Sequence, residues 1–346
     1  MTIKDIASRA NVSVSTVSRC LNDSPLVARE TKQRIVDIAR DADFQFNANA
    51  RGLSKSQVGT IAIILPDDYD KFNVYFYHSA LHNHLRRSLE REDVDLIVGF
   101  SRNRFSHVDN IRKLVGSKKV DGLILVTPGI PRDTERFLKS ENMPYVFSHY
   151  PPPSARSDVD RVYVDHHKGG MSVGELMANN GYRRVIGFHD RGAPPEFEQR
   201  LEGLKIGFSM ADHELELREV EATSSFESGF ELATDPVRGL HEADAIFGLN
   251  DLMAMGVVYG LQSRGVRVPA DVAVVGYDDT PLAGMIVPRL TTVRQPSEEI
   301  AFLTCERLLE VIRDRQRGVP HVPRHIALQP QLIIRETCPA QGGAGG

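Results

Sequence analysis

Apolar positions in the first 42 residues recur at helical intervals. In "TIKDIASRA", Ile3, Ile6, Ala7 and Ala10 fall on one face, and Thr2 with Asp5 three residues on forms a variant of the capping box. After "NVS", Val14, Val17 and Leu21 stand at i, i+3 and i+7. With Ser13 as cap they predict a second helix whose inward face holds all three. A third helix, about 29–42, carries Ile35, Ile38 and Ala39 on its buried stripe. The second helix is otherwise written in Ser, Thr and Val, weak helix formers with short polar tips, so packing alone does not explain its composition.

From Val58 the period changes. Short β-branched runs, "GTIAIILP", "VDLIVGF", "VDGLILVTP" and "PYVFSH", alternate with helical stretches around "HSALHNHLRRSLERE", "NIRKLVGSK" and "RFLKS". The second half repeats the rhythm with "RRVIGF", "EFEQRLEGLKIGFS", "ELELREVEA", "AIFGLN", "DLMAMGVVYGLQSRG" and "VAVVGYDD". Strands alternating with helices imply parallel sheets covered on both faces, here as two open α/β lobes, and in such sheets a ligand sits beyond the carboxyl ends of the strands. Between head and body, "NANARGLSKSQ" reads as a linker holding one isolated large apolar residue, Leu53.

Composition narrows the class. With 346 residues and 41% hydrophobic content, the chain can bury ordinary cores, which excludes disorder and small disulfide scaffolds. Cys20, Cys305 and Cys338 lie far apart without metal-site spacing and fit a reducing cytoplasm. The opening "MTIKDIASRA" has no signal-peptide pattern and no segment approaches a membrane span, so a cytoplasmic location is expected. The net charge of -4 hides an asymmetry: residues 1–57 carry 9 Lys/Arg against 6 Asp/Glu, and the rest carry 33 against 40. A basic head on an acidic body is a hint of nucleic-acid contact.

Two short helices joined by "ANVS" form a helix-turn-helix pattern, in which the second helix enters the major groove. Positions that approach bases and phosphates must be short or specifically hydrogen-bonding, and Ser, Thr and one Arg meet that need. A three-helix packing module with a serine-rich surface is the alternative that composition leaves open. The longer pattern "TIKDIASRANVSVSTVSRCLND", with "NANARGLSKS" after the third helix, resembles the head and hinge of the LacI/GalR family of bacterial transcription regulators. "IAIILPD", "VDGLILV", "VYVDHHKGG", "GYRRVIGF", "RLEGL", "AIFGLNDLMAMG", "VPADVAVVGYDD" and "LTTVRQP" follow in that family's order, to about Glu336.

The resemblance implies a small all-α helix-turn-helix head and an α/β, two-lobed, periplasmic-binding-protein-like (type I) effector domain. Expected bounds are 1–46 for the head, 47–57 for the hinge, 58–338 for the effector and dimerisation domain, and 339–346 for a flexible tail. Within the body, one lobe is expected at 58–160 with 292–322 and the other at 161–291 with 323–338. By resemblance Val14, Ser15 and Arg19 read bases, Ser13, Thr16, Ser18 and Asn22 contact phosphates or support such contacts, and Thr2 is counted among the DNA-binding residues. Asn47, Ala50 and Leu53 match the hinge, from which a Leu of each protomer wedges into the minor groove. A homodimer on a palindromic double-stranded operator follows, because half-sites mirror protein symmetry. Two departures bear on this: Phe46 replaces a usual Pro at the hinge entry, and Ala28 replaces a usual Ser cap of the third helix.

Family effectors sit between the lobes. Arg200 of "RLEGL" and Asp278 of "GYDD" match family ligand contacts, and Asn250 of "GLND" is a third candidate. A salt-bridged lobe interface is the competing reading of these residues. Tyr77 and His78 are expected to face the cleft; His149 falls where several relatives carry Asp; Ser224 falls where an aromatic often stacks, with Phe226 close enough to substitute. Histidine at 149 suggests a ligand with more acceptor or anionic character than a neutral sugar. "HNH" at His82 to His84 is read as a solvated helix face and "DHHKGG" as a helix entry at the cleft, since neither has further metal ligands. No nucleophile elbow, phosphate loop or cofactor fingerprint appears, so neither catalysis nor a cofactor or metal is expected. A stand-alone sugar-binding protein is the alternative function. The expected one is an effector-controlled, sequence-specific DNA-binding repressor without membrane contact, its ligand a sugar or sugar derivative.

Overall fold

The computed structural model describes residues 2–21, 26–42, 58–65, 72–152, 158–190 and 195–340. Contacts divide the chain into two units: residues 1–60 with 118–121, and 61–117 with 122–346.

The first unit contains three helices, α1 (Ile3–Ala10), α2 (Val14–Leu21) and α3 (Arg29–Asp41). Thr2 and Asp5 close the reciprocal capping box that their spacing predicts, and Asn11 ends α1 in the left-handed conformation at φ 50°. Ile6, Ala7, Ala10, Val17, Cys20, Ile35 and Ala39 form one buried core, with Ile3 and Ile38 partly covered. The core therefore takes the expected faces of α1 and α3. On α2 the expectation fails for Val14, which is 40% exposed, while Cys20 is buried. Val17 and Cys20 stand at i and i+3 and define the inward face, which leaves Val14 on the turn that enters α2.

The second unit begins with β1 (Thr60–Leu65), α4 (Phe72–Arg91), β2 (Asp95–Phe100), α5 (Asn110–Gly116), β3 (Gly122–Leu125), α6 (Arg132–Ser140), β4 (Tyr145–His149) and β5 (Asp160–Val164). Then follow α7 (His166–Asn179), β6 (Arg184–His189), α8 (Glu196–Met210), β7 (Glu216–Glu221), α9 (Phe226–Thr234), β8 (Ala245–Phe247), α10 (Asp251–Ser263) and β9 (Ala273–Val275). The chain closes through β10 (Thr292–Arg294), α11 (Ser297–Arg317), β11 (His325–Leu328) and β12 (Gln331–Ile333). One sheet has the order β11-β5-β4-β3-β1-β2 and a second β7-β6-β8-β9; the pairs with a defined register are parallel. β10 and β12 pair antiparallel and continue the second sheet through bridges at Val275–Thr291 and Asp278–Arg294. β1 and β3 are buried throughout, as strands covered on both faces must be.

The lobe boundaries differ slightly from those expected. Residues 161–163 pair with β4, and β11 pairs with β5 through Val164, so both belong to the first sheet; β10 belongs with the second. The chain thus crosses between lobes after β5, after β10 and between β11 and β12. These shifts of a few residues follow from strands running to their carboxyl ends before the chain leaves a sheet. The start of the expected tail is also anchored, since Asn180 Nδ2 donates to the Pro339 carbonyl at 2.7 Å; residues 341–346 lie outside the described residues. Among the described residues no helix is long and apolar enough to cross a membrane, and no group of three or more His, Cys, Asp or Glu could hold a metal ion.

Candidate functional site

In the first unit, burial of Val17 and Cys20 turns the rest of α2 outward. Ser13, Val14, Ser15 and Arg19 are exposed, while Thr16 and Ser18 are half-buried. Ser13 Oγ accepts from the Thr16 backbone N–H at 3.1 Å and lies 2.7 Å from Ser15 Oγ and 2.8 Å from Thr16 Oγ1. This small hydroxyl cluster satisfies the start of the helix while keeping its profile low. Arg19 carries the basic charge in the last turn of α2. Thr2 is committed to capping α1 and is exposed. Ala28 gives α3 no side-chain cap, as its replacement of Ser implies. Asn22, Asn47, Ala50 and Leu53 lie outside the described residues.

In the second unit, carboxyl ends of strands and amino ends of helices converge on a buried aromatic and polar cluster. From the first lobe come Tyr77 and His78 on α4, His149 closing β4, and Tyr150. His149 Nδ1 lies 3.1 Å from the Tyr77 hydroxyl, and the Tyr150 hydroxyl lies 3.3 Å from His78 Nε2. From the second lobe come His166, whose Nδ1 is 3.1 Å from the Tyr277 hydroxyl, with Arg200 and Asp278. The His149 and His166 ring centroids stand 6.0 Å apart, so the two lobes meet through imidazoles. Arg200 is placed by glycine: a Cβ on Gly170 would lie 2.0 Å from the Arg200 carbonyl, and one on Gly203 2.2 Å from that of His167. Only glycine lets α7 and α8 approach so closely.

Arg200 is 4% exposed. Its guanidinium lies 3.8 Å over the Tyr277 ring and 4.8 Å over that of Phe197; Nη1 donates to the Leu249 carbonyl and Nη2 is 3.9 Å from Asp278 Oδ1. Asp278 has φ 116°, strained for a residue with a Cβ, and accepts from Gln295 Nε2 at 2.6 Å. Burial pushes its carboxyl up to about 6, against the opposing pull of Arg200 and the Gln295 hydrogen bond. Burial, and then the nearby Asp278 charge, push the carboxyl of Asp251, at the start of α10, well above the ordinary carboxylate range. Burial first, then neighbouring cationic or imidazole groups, keeps His149 and His166 neutral. Among the described residues Arg200 Nε, His166 Nε2 and Gln295 Oε1 are buried without a hydrogen-bond partner. Such atoms normally cost about 1–3 kcal/mol each; others among the described residues lie outside this cluster, at His82 and Asp160.

The structure brings together five of the seven residues expected at the cleft, Tyr77, His78, His149, Arg200 and Asp278. Asn250 instead caps α10: its Oδ1 accepts from the Met253 N–H and its Nδ2 donates to the Ser224 carbonyl, both at 2.9 Å. Phe226 opens α9 and groups with Phe230 and Tyr259, at centroid distances of 6.3 and 5.9 Å. The sequence reading missed Tyr277, Tyr150 and Gln295, and it placed the "DHHKGG" segment at the cleft without assigning His166 a role. The signal for His166 was present, because "DHH" places a histidine directly after the Asp165 cap of α7, at the carboxyl end of β5. His82, expected on a solvated face, is half-buried with its imidazole pushed toward the neutral form by burial and then by Arg86.

Comparison with known proteins agrees with both units. A model for bacterial regulatory proteins of the lacI family matches residues 2–47, and one for a periplasmic binding protein-like domain matches residues 175–338. The HTH-type transcriptional repressor PurR of Vibrio parahaemolyticus is 27% identical over 343 residues, covering 97% of this chain and 98% of that protein. The lac repressor dimer bound to operator and the anti-inducer ONPF is similar in fold, with a TM-score of 0.79 at 22% identity over 98% of this chain and 99% of that one. The complex of the transcriptional regulator CelR with cellobiose gives a TM-score of 0.69 at 23% identity, covering 97% of this chain and 99% of that one.

Proposed function

Because the chain belongs to the lacI family of bacterial regulatory proteins, we propose that it is a homodimeric cytoplasmic repressor of palindromic operators, controlled by a sugar or sugar derivative held between its lobes. Its relatives are transcriptional repressors rather than enzymes, and this chain is a regulator of the same kind. The observation that carries the reading is the division of α2: Val17 and Cys20 are fully committed to the core while Val14, Ser15 and Arg19 are exposed. An exposed face of short side chains with one Arg is what a major groove admits. The hydroxylated ligand is supported by the buried donors and acceptors of the cleft and by the cellobiose bound to CelR. Ligand closing on both lobes changes their angle, and a change of angle in a dimer alters the spacing of its two heads. The proposed domain limits remain 1–46, 47–57 and 58–338, with the crossings of the body as observed.

Operator selection from random duplexes, followed by titration at several salt concentrations, tests this. Affinity should fall steeply with salt. Arg19→Ala should lose about 1–3 kcal/mol on the selected sequence and little on a scrambled one, whereas Ser13→Ala should weaken both alike. Equal losses for Arg19→Ala on both duplexes would remove it from base reading, and absence of salt-dependent DNA binding would end the repressor reading.

A further inference from the structure

We infer that the cleft takes a polyhydroxylated carboxylate, a sugar acid, whose carboxylate docks on the Nε–Nη2 edge of Arg200. The inference rests on the cleft being the effector site. The geometry of Arg200 carries it. The two ring contacts, to Tyr277 and Phe197, occupy faces of the guanidinium, and Nη1 is spent on the Leu249 carbonyl. Among the described residues Nε has no partner, and Nη2 approaches Asp278 Oδ1 only to 3.9 Å, without a hydrogen bond. The remaining edge is therefore the fork that matches a carboxylate with two parallel N–H bonds. His166 Nε2 is a further unpartnered nitrogen beside it, on a ring held through Tyr277, the same residue that faces Arg200. Gln295 Oε1 is left for a hydroxyl group of the ligand.

The charge balance gives the inference a second signature. Asp278 is the carboxylate set against Arg200, and its other neighbours are Gln295, the buried Asp251 on α10, Tyr277 and, on α4, Tyr77. The next ion pairs along the chain, Arg294 and Arg335 with Asp279, are already closed. An incoming carboxylate competes with Asp278 for Arg200. Asp278, already near neutrality at about 6, then takes up a proton from solvent, so one proton enters with each acid bound. A neutral sugar brings no such requirement. Affinity for the acid should fall as pH rises above about 6, approaching tenfold per pH unit until the carboxyl titrates in the complex as well.

Calorimetry on the full chain decides this, using gluconate, galactonate, glucuronate and galacturonate against glucose, galactose, ribose and cellobiose, in buffers of differing ionisation enthalpy. Expected is an acid binding about tenfold to a hundredfold more tightly than its neutral counterpart near neutral pH, with proton uptake approaching one per site. Asp278→Asn should abolish the uptake and tighten the acid above neutral pH, while Arg200→Lys, which keeps charge but loses the fork, should erase the preference. A neutral sugar binding as tightly without proton uptake overturns the inference, as do uptake that survives Asp278→Asn and failure of every acid to bind. Operator binding is measured separately: if it is intact, these failures fall on the carboxylate assignment alone, and if it is absent the repressor reading fails with its own test.

Discussion

Replacing Asp278 by Asn should stabilise the unliganded protein, although it removes a group placed at the site. The carboxyl titrates at about 6 in the fold against an ordinary 3.8, because it is buried and Arg200 stands 3.9 Å away rather than in contact. Its folded form therefore binds its proton more tightly than its unfolded form. The sign follows: this residue contributes no penalty below the unfolded value, and its contribution worsens as pH rises from about 4 to about 6, then stays constant. The gap corresponds to at most about 3 kcal/mol, at 1.36 kcal/mol per pH unit. Asparagine imitates the protonated carboxyl, so it should recover about 2–3 kcal/mol at neutral pH and almost nothing at pH 4. The Asp251 carboxyl stays raised in the variant, since burial is the larger cause of its shift. Urea unfolding of both proteins at pH 4, 5, 6 and 7, at one fixed protein concentration, reads the difference directly. A variant no more stable than the parent at pH 7, or equally stabilised at every pH, would refute the electrostatic account of Asp278.

Other consequences are local. Gly170→Ala should destabilise the second lobe by about 1–3 kcal/mol, because its Cβ meets the Arg200 carbonyl at 2.0 Å and the neighbour is backbone. Gly116→Ala, with no atom within 4 Å, should be neutral or slightly stabilising under the same denaturation assay. Ala28→Ser should supply α3 with its missing cap, worth about 1 kcal/mol, seen as roughly fivefold slower hydrogen exchange of head amides. An unchanged exchange rate would mean that Ala28 does not limit the head's stability.

What the sequence made legible was whatever depends on period and on local chemistry. The capping box at Thr2 and Asp5, the faces of α1 and α3, and the parallel βαβ order each follow from a few neighbouring residues, and each is found. Val14 shows where period misleads: three apolar residues at helical spacing suggest a common inward face, but the first of them sits where α2 begins and is 40% exposed. The cleft was legible only in part, for a different reason. Arg200 and Asp278 belong to recognisable motifs, whereas His166 and Gln295 become site residues only through partners more than a hundred positions away for His166 and seventeen for Gln295. Asn250 reverses the case, since a polar residue in a matching motif proves to have both ends of its amide bound by α10 and Ser224. A binding residue is thus better recognised by what its neighbours leave unsatisfied than by its type. Asn250 has each end of its amide engaged, while Arg200, 4% exposed, keeps Nε without a hydrogen-bond partner.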